Sequence, residues 1–142
     1  MTDLSNIRTI LYHKQNSSAR TRFVQHPYGG VLGFDGAPKS YHLMEGKINH
    51  LNEQTKASIT NCLSYVYRLE ADDIQIEDEF DAVIGNPDTE LSVMLVRLNT
   101  VDPPFENVEE TGARFIPITE ARGMPEVELE LLQRAYQNIM EG

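Results

Sequence analysis

The sequence predicts an α+β fold: an antiparallel or mixed sheet of about four to five strands, with a long central helix and a C-terminal helix packed on it. Two amphipathic segments and one fully apolar run support this prediction. Residues 48–69 and 125–140 repeat apolar side chains at helical spacing, and every residue from Val93 to Val96 is apolar, as in a central strand covered on both faces. We expect both helices on one face of the sheet, in a single domain covering residues 1–142.

The segments before the central helix predict short strands. Residues 3–14 fit either a helix or a strand, and the strand is favoured because residues 20–25 also resemble one and a polar loop joins the two. Residues 26–40 are rich in Gly and Pro, and residues 31–34 within them suit a short strand that extends an antiparallel meander. Residues 41–45 suggest a helical turn.

The central helix is the element around which the other elements are expected to pack. At 100° per residue, polar side chains fill one side of the segment and apolar side chains fill the other. No Gly or Pro interrupts it, so one unbroken helix is expected. The only cysteine, Cys62, lies in the apolar stripe, so buried packing is its expected role. The stripe consists of Ile48, Leu51, Thr55, Ile59, Cys62, Leu63, Val66 and Leu69.

The segments after the central helix alternate between strand and helix patterns. Ile74 and Ile76 alternate as in a strand, whereas the apolar residues of 77–84 follow helical spacing and predict a short helix. Leu91 to Leu98 is the strongest strand, and residues 100–112 are expected to form a loop. Residues 114–118 suit a short strand in which Pro117 lies at a sheet edge or near the end of the strand.

The C-terminal helix is predicted from a proline in its first turn, early glutamates that favour the positive end of the helix dipole, and a wide apolar stripe. Glu126 and Glu128 are those glutamates. The stripe is wider than a one-sided contact requires, which motivates a hypothesis of self-association, as a homodimer, through Leu131, Ala135 and Met140.

Charge is distributed unevenly along the chain. The formal net charge is −10, but residues 1–68 contain eight Lys or Arg and four Asp or Glu, whereas residues 69–142 contain four and eighteen. The acidic half disfavours nucleic acid and anionic membranes as partners. The first residues do not resemble a signal peptide, and no apolar run reaches the length of a membrane span, so a cytoplasmic location is expected.

The Gly-rich segment, residues 26–42, is the first candidate site. Closely spaced glycines allow backbone N–H groups to converge on an anion, although the spacing matches neither a phosphate-binding loop nor a dinucleotide fingerprint. A pair of tight structural turns is the favoured interpretation, and the functional alternative is an anionic ligand, with His26 or His42 as a general acid or base. The candidate ligand-binding residues are His26, Tyr28, Gly29, Gly30, Lys39, Tyr41 and His42.

A run of carboxylates is the second candidate site. Nine acidic residues and no Lys or Arg lie between Arg68 and Arg97. The run lacks the spacing of a calcium-binding loop, so no metal and no cofactor are expected, and a basic protein partner is the functional interpretation. A solvated acidic edge is the structural alternative. The candidate partner-binding residues are Asp72, Asp73, Glu77, Asp78, Glu79 and Asp81.

Two functional hypotheses remain from the sequence. The preferred one is a small non-catalytic accessory or regulatory protein that acts through a protein partner or through self-association. The alternative is a small-molecule binding domain or small enzyme with its site at residues 26–42. Whether the chain is an enzyme is left open, because no known catalytic motif is present and no catalytic residue can be assigned.

Overall fold

The computed structural model describes residues 4–33, 35–46 and 51–141. Their fold is α+β, as predicted, but the mixed sheet has seven strands rather than four or five, and three α-helices accompany it. The strands are β1 (Ile7–Lys14), β2 (Thr21–Gln25), β3 (His42–Leu43), β4 (Ile74–Ile76), β5 (Ala82–Gly85), β6 (Glu90–Leu98) and β7 (Arg114–Ile116). The helices are α1 (Glu53–Tyr67), α2 (Phe105–Glu109) and α3 (Glu126–Glu141).

The strand order of the sheet is β3-β5-β6-β1-β2-β7, with β4 also paired to β6. Strands β1 and β6 run parallel at the centre, and the other pairs are antiparallel. The predicted hairpin of β1 and β2, the central position of β6 and the edge position of β7 are confirmed. The sheet therefore has a buried parallel core with shorter antiparallel strands on each side.

Helices α1 and α3 cover opposite faces of the sheet, so the prediction that both lie on one face is wrong. Residues of α3 pack with Ile10 and Phe23, whereas residues of α1 pack with Leu11 and Val24. Adjacent residues of a strand point to opposite faces of the sheet. Ile10 and Leu11 in β1, and Phe23 and Val24 in β2, are adjacent, and all four are fully buried. Strands that are apolar on both faces need a cover on each, which two helices on one side cannot supply.

Helix α1 is shorter than predicted and is rotated slightly relative to the predicted stripe. Asn52 caps its N-terminus by accepting a hydrogen bond from the Thr55 amide, and Arg68 ends it in the left-handed conformation. Tyr67 is buried, whereas Val66, a residue of the predicted stripe, is 44% exposed. Ile48 lies outside the described residues. Cys62 is half-buried, and burial raises the pKa of its thiol.

The predicted helix over residues 77–84 is wrong, because this segment is a turn followed by the first three residues of β5. Phe80, Ala82 and Ile84 are all buried in the core on the α3 side of the sheet. Their spacing of two residues is typical of a strand. Phe80, Val83 and Ile84 also fit helical spacing, so the sequence pattern is ambiguous over this short segment. Pairing with β6 decides between the two patterns.

Three further segments differ from the sequence prediction. Residues 41–45 contain β3, which pairs with β5, instead of a helical turn. Of residues 31–34, Gly33 forms an isolated bridge with Thr9, and Phe34 lies outside the described residues. The predicted loop at 100–112 contains α2. Short segments of this kind adopt the structure that their partners impose, because local preference is weak over a few residues.

Two of the three residues of the patch proposed for self-association are buried. Leu131 and Ala135 are fully buried against the sheet, and of the three residues only Met140 is exposed. The stripe of α3 is wide because the sheet and the Gly-rich segment both pack on it, which accounts for its apolar side chains without a second subunit.

Candidate ligand-binding site

A cavity of about 560 Å³ lies between the Gly-rich segment and α1. One side of its lining is apolar and is supplied by α1, whereas the opposite side carries polar groups from β1 and the Gly-rich segment. The partly exposed side chains of Tyr28 and Val66 belong to the lining, so the cavity opens to solvent. Its size is within the range of small-molecule sites. The lining residues are Thr9, His26, Pro27, Tyr28, Leu32, Gly33, Asp35, Leu63, Val66 and Tyr67.

A buried carboxylate of α3 holds the first half of the Gly-rich segment in place. Glu128 is 1% exposed, and its Oε1 accepts hydrogen bonds from the Tyr28 hydroxyl (3.0 Å) and from the amide of Val31 (2.8 Å). The Leu32 amide lies 3.3 Å from the same oxygen. A carboxylate that is removed from water requires such donors, so these contacts fix the backbone of the segment relative to α3.

Strand β1 holds the second half of the Gly-rich segment. The backbone of Thr9 exchanges two hydrogen bonds with Gly33, of 2.7 and 2.9 Å. The buried guanidinium of Arg8 donates to the Gly36 carbonyl and to the carbonyls of Ser5 and Ile7. The polar wall of the cavity is therefore anchored to two elements of the core before any ligand binds.

The imidazole of His26 is the polar group of this wall whose chemistry is best defined. Burial lowers its pKa to about 4, so the ring is neutral at pH 7. Nε2 is buried with no hydrogen-bond partner among the described residues, and the Val31 backbone partly opposes the lowering of the pKa. A neutral imidazole has one N–H donor and one acceptor nitrogen, and the tautomer with its proton on Nδ1 leaves Nε2 able to accept a hydrogen bond.

Gly33 creates the space next to this acceptor. A Cβ atom at Gly33 would lie 3.1 Å from His26 Nε2 and 3.1 Å from Thr9 Oγ1. Both polar atoms therefore border the same small volume, which only a glycine leaves open. Asp35, two residues further along the chain, also lines the cavity and is the acidic residue of the described lining.

The structure brings together some of the seven predicted ligand-binding residues and separates the others. His26 and Tyr28 line the cavity, with their rings parallel at a centroid distance of 6.2 Å. Gly29 turns the chain with a φ of 97°, and Gly30 packs so tightly on Glu128 and Tyr28 that no side chain would fit.

Lys39, Tyr41 and His42 do not line this cavity. Lys39 borders a separate depression beside the start of α3, on the other side of Tyr28. The Tyr41 hydroxyl is hydrogen-bonded to Thr89, and the exposed His42 lies in β3, paired with Gly85. The cation and the second histidine that motivated an anionic ligand are therefore absent from the described lining.

The predicted acidic residues are spread over the surface, where Glu79 and Asp81 border an open depression together with Arg134. Two of them have internal partners: Asp78 forms an ion pair with Lys56 at 2.8 Å, and Glu77 accepts a hydrogen bond from the Tyr12 hydroxyl. Asp72, Glu79 and Asp81 are exposed, and within the described residues they form no ion pair. Asp73 lies with Asp72 in the 3₁₀ turn after α1.

Several residues of the site were not predicted from the sequence. Thr9, Leu63 and Tyr67 belong to elements far apart in the chain, and nothing in their local pattern connects them. Glu128 carried a usable signal, since it stands three and four residues before the buried Leu131 and Leu132 and therefore lies in the apolar stripe of α3. A carboxylate at such a position must have buried donors, which here are in the Gly-rich segment.

Comparison with known proteins gives no family for this chain. No model of a known protein family matches it, and no significant match occurs among curated proteins. Within residues 4–33, 35–46 and 51–141, no helix has the length and apolar character to span a membrane, and no three His, Cys, Asp or Glu are grouped so as to hold a metal ion. The geometry of the cavity is thus the main guide to function.

Proposed function

We propose that this protein binds a small organic molecule in the cavity between α1 and the Gly-rich segment. The observation that carries the proposal is the buried Nε2 of His26, which has no partner among the described residues, at the wall of an apolar cavity of about 560 Å³. A buried polar atom without a partner lowers stability, so a protein that retains one next to a cavity has a use for it. A bound molecule that donates a hydrogen bond to Nε2 supplies that use.

The construction of the wall supports the same proposal. Glu128, Arg8 and the Thr9 backbone each hold a different part of the Gly-rich segment. A site whose wall is already in place binds with a smaller loss of conformational entropy than one that orders on binding. The apolar side of the cavity supplies burial of the ligand body, and the polar side supplies its orientation.

The test compares a variant that blocks the cavity with one that does not. 2-Naphthol, a neutral fluorescent naphthalene whose O–H can donate a hydrogen bond and whose emission changes in an apolar site, is titrated into the wild-type protein and into Val66→Trp. We expect saturable binding to the wild type and its loss in the variant, because Val66 lines the cavity and is exposed enough for a larger side chain to be tolerated.

Tyr65→Trp is the matched control for this test. Tyr65 is the preceding residue of α1 and is 87% exposed, and it does not line the cavity. It adds the same indole to the same helix, so binding is expected to be unchanged. No saturable binding to the wild type, or equal binding to the two variants, contradicts the proposal. Native mass spectrometry of the purified protein provides a second readout, as added mass from a retained ligand.

A second candidate function rests on the acidic surface. Asp72, Glu79 and Asp81 are exposed and form no ion pair among the described residues, which favours docking of a basic protein partner in the cytoplasm. Pull-down at low and at high salt tests it. Retention of the same partner by the wild type at low salt, and its loss in Asp72→Asn/Glu79→Gln/Asp81→Asn, is the expected result. Binding that responds neither to salt nor to these substitutions contradicts it.

A further inference from the structure

We infer that the ligand of the cavity is a protonated amine attached to an apolar or aromatic body. This inference rests on the proposed function and specifies the ligand class of the same site. It follows from the kinds of polar group on the wall and from their arrangement opposite an apolar surface.

The described lining carries one formal charge, and that charge is negative. Asp35 contributes a carboxylate, and none of the described lining residues is a Lys or Arg. His26 contributes no positive charge at neutral pH, because burial lowers its pKa to about 4. An anionic ligand would meet a carboxylate with no counter-charge in this lining, whereas a cationic ligand gains from it.

The hydrogen-bonding groups favour the same ligand. Nε2 of His26 has no partner among the described residues and can accept a hydrogen bond in the Nδ1–H tautomer, and the carboxylate of Asp35 has only acceptor atoms. An ammonium group has three donors and no acceptor, so it matches both groups. Thr9 Oγ1, which approaches the same space at Gly33, offers a further acceptor lone pair.

The aromatic and aliphatic residues define the rest of the ligand. Tyr28 and Tyr67 line the cavity, and the face of a tyrosine ring attracts a cation. Leu63 and Val66 of α1 supply apolar lining, whereas Thr9 of β1 and Asp35 of the Gly-rich segment supply polar lining. A molecule with a charged end and an apolar end fits this division, and a small hydrophilic amine does not.

Three naphthalene compounds of similar shape separate the possible ligand classes. 2-Naphthylmethylamine is a cation at pH 7, 2-naphthalenemethanol is neutral, and 2-naphthoate is an anion. Each is titrated into the wild type and into Val66→Trp, with binding followed by the amide shifts of the cavity residues. We expect the amine to bind most tightly, the alcohol more weakly and the carboxylate weakest, all with loss of binding in Val66→Trp.

Asp35→Asn tests the origin of this order. Asp35 is exposed, so its substitution has little effect on folding. We expect the affinity for the amine to fall by about five-fold, the effect of one close charge in a solvated setting, while affinity for the alcohol is unchanged. Asp72→Asn removes an exposed carboxylate outside the cavity and is expected to change neither.

The outcomes distinguish the two proposals. If the alcohol or the carboxylate binds as tightly as the amine and Val66→Trp still abolishes binding, the cavity is a ligand site and the amine inference is overturned. The same holds if Asp35→Asn leaves the affinity for the amine unchanged. If none of the three compounds binds in a way that depends on Val66, both the amine inference and the proposed function fail.

Discussion

The two faces of the sheet are built differently. On one face, α3 buries five apolar residues and Glu128, and Leu131, Leu132 and Ala135 among them are at most 1% exposed. On the other face, α1 buries only Ile59, Leu63 and Tyr67, and a cavity remains between it and the Gly-rich segment. The comparison indicates that the α3 face is the main source of stability, whereas the α1 face leaves room for a ligand.

The largest expected effect comes from truncating one leucine on each face. Leu131→Ala removes a fully buried side chain of α3 and is expected to lower the free energy of unfolding by about 4 kcal/mol. Leu63→Ala removes a side chain that already borders empty space, so we expect a loss of about 2 kcal/mol. Urea unfolding followed by circular dichroism measures both. Equal losses would show that the two faces are packed alike.

Acid pH is expected to destabilise the α1 face in particular. The pKa of His26 in the folded protein is about 4, below the value near 6.5 of an unfolded chain, so the unfolded state binds more protons between these values. The contribution of His26 to the free energy of unfolding is therefore fully present above pH 6.5. It is lost as pH falls toward 4, by up to about 3 kcal/mol. Burial also lowers the pKa of His13, which acts in the same direction.

Urea unfolding at pH 7 and at pH 4.5 measures this effect, and two histidine variants assign it. His26→Gln is expected to reduce the difference between the two pH values, because glutamine does not titrate. His42→Gln alters an exposed histidine of β3 and serves as the control, with the wild-type pH dependence retained. A His26→Gln protein as sensitive to acid as the wild type would contradict the assignment.

The contact between α3 and the Gly-rich segment is expected to depend on the carboxylate of Glu128. Glu128→Gln keeps the size of the side chain but replaces the carboxylate by a neutral amide. The hydrogen bonds from the Tyr28 hydroxyl and from the Val31 and Leu32 amides are then weaker. We expect a loss of about 2 kcal/mol in stability. Hydrogen exchange should become faster at the amides of Val31 and Leu32, and the cavity wall should loosen.

Glu130→Gln is the control for this variant. Glu130 lies on α3 two residues later and is exposed, so the same chemical change there is expected to leave exchange at Val31 and Leu32 unaltered. If Glu128→Gln also leaves these amides protected, the carboxylate does not hold the Gly-rich segment, and the difference between the faces has another origin.

The fold could be predicted from the sequence where periodicity extends over many residues. Helix α3 and strand β6 have apolar patterns that are long and unambiguous. Strand β5 was missed because Phe80, Val83 and Ile84 also fit a helix over so short a segment. The placement of α1 and α3 on opposite faces depends on long-range pairing, above all on the parallel contact of β1 with β6, which no local pattern reports.

The site was only partly predictable, for a related reason. His26 and Tyr28 could be predicted because the glycines around them indicate an unusual loop. The residues that complete the cavity, such as Thr9 and Tyr67, come from β1 and α1 and are brought near only by the tertiary fold. Lys39 and His42 are close to His26 and Tyr28 in sequence, but Lys39 borders another depression and His42 lies in β3. Because the lining lacks the lysine that motivated an anionic ligand, the ligand expected from the structure is a cation instead.

The smallest effect on stability, with a clear effect on binding, is expected from Gly33→Ala. Gly33 is suited to this substitution because two other glycines near the site are not: a Cβ atom at Gly30 would collide with Glu128 Oε1, and Gly36 has a φ of +69°. At Gly33 the added methyl lies 3.1 Å from His26 Nε2 and Thr9 Oγ1, so a small shift of each side chain accommodates it. We expect a cost of about 1 kcal/mol in unfolding free energy, the lower end of the range for an added methyl group in a packed site.

The effect of this substitution on binding is expected to depend on the charge of the ligand. The methyl of Gly33→Ala occupies the space where the ammonium would meet His26 Nε2. Affinity for 2-naphthylmethylamine should therefore fall more than affinity for 2-naphthalenemethanol, as measured by the same titrations of amide shifts. An equal decrease for the two compounds would place the charged end of the ligand elsewhere in the cavity, because the loss would then reflect volume alone.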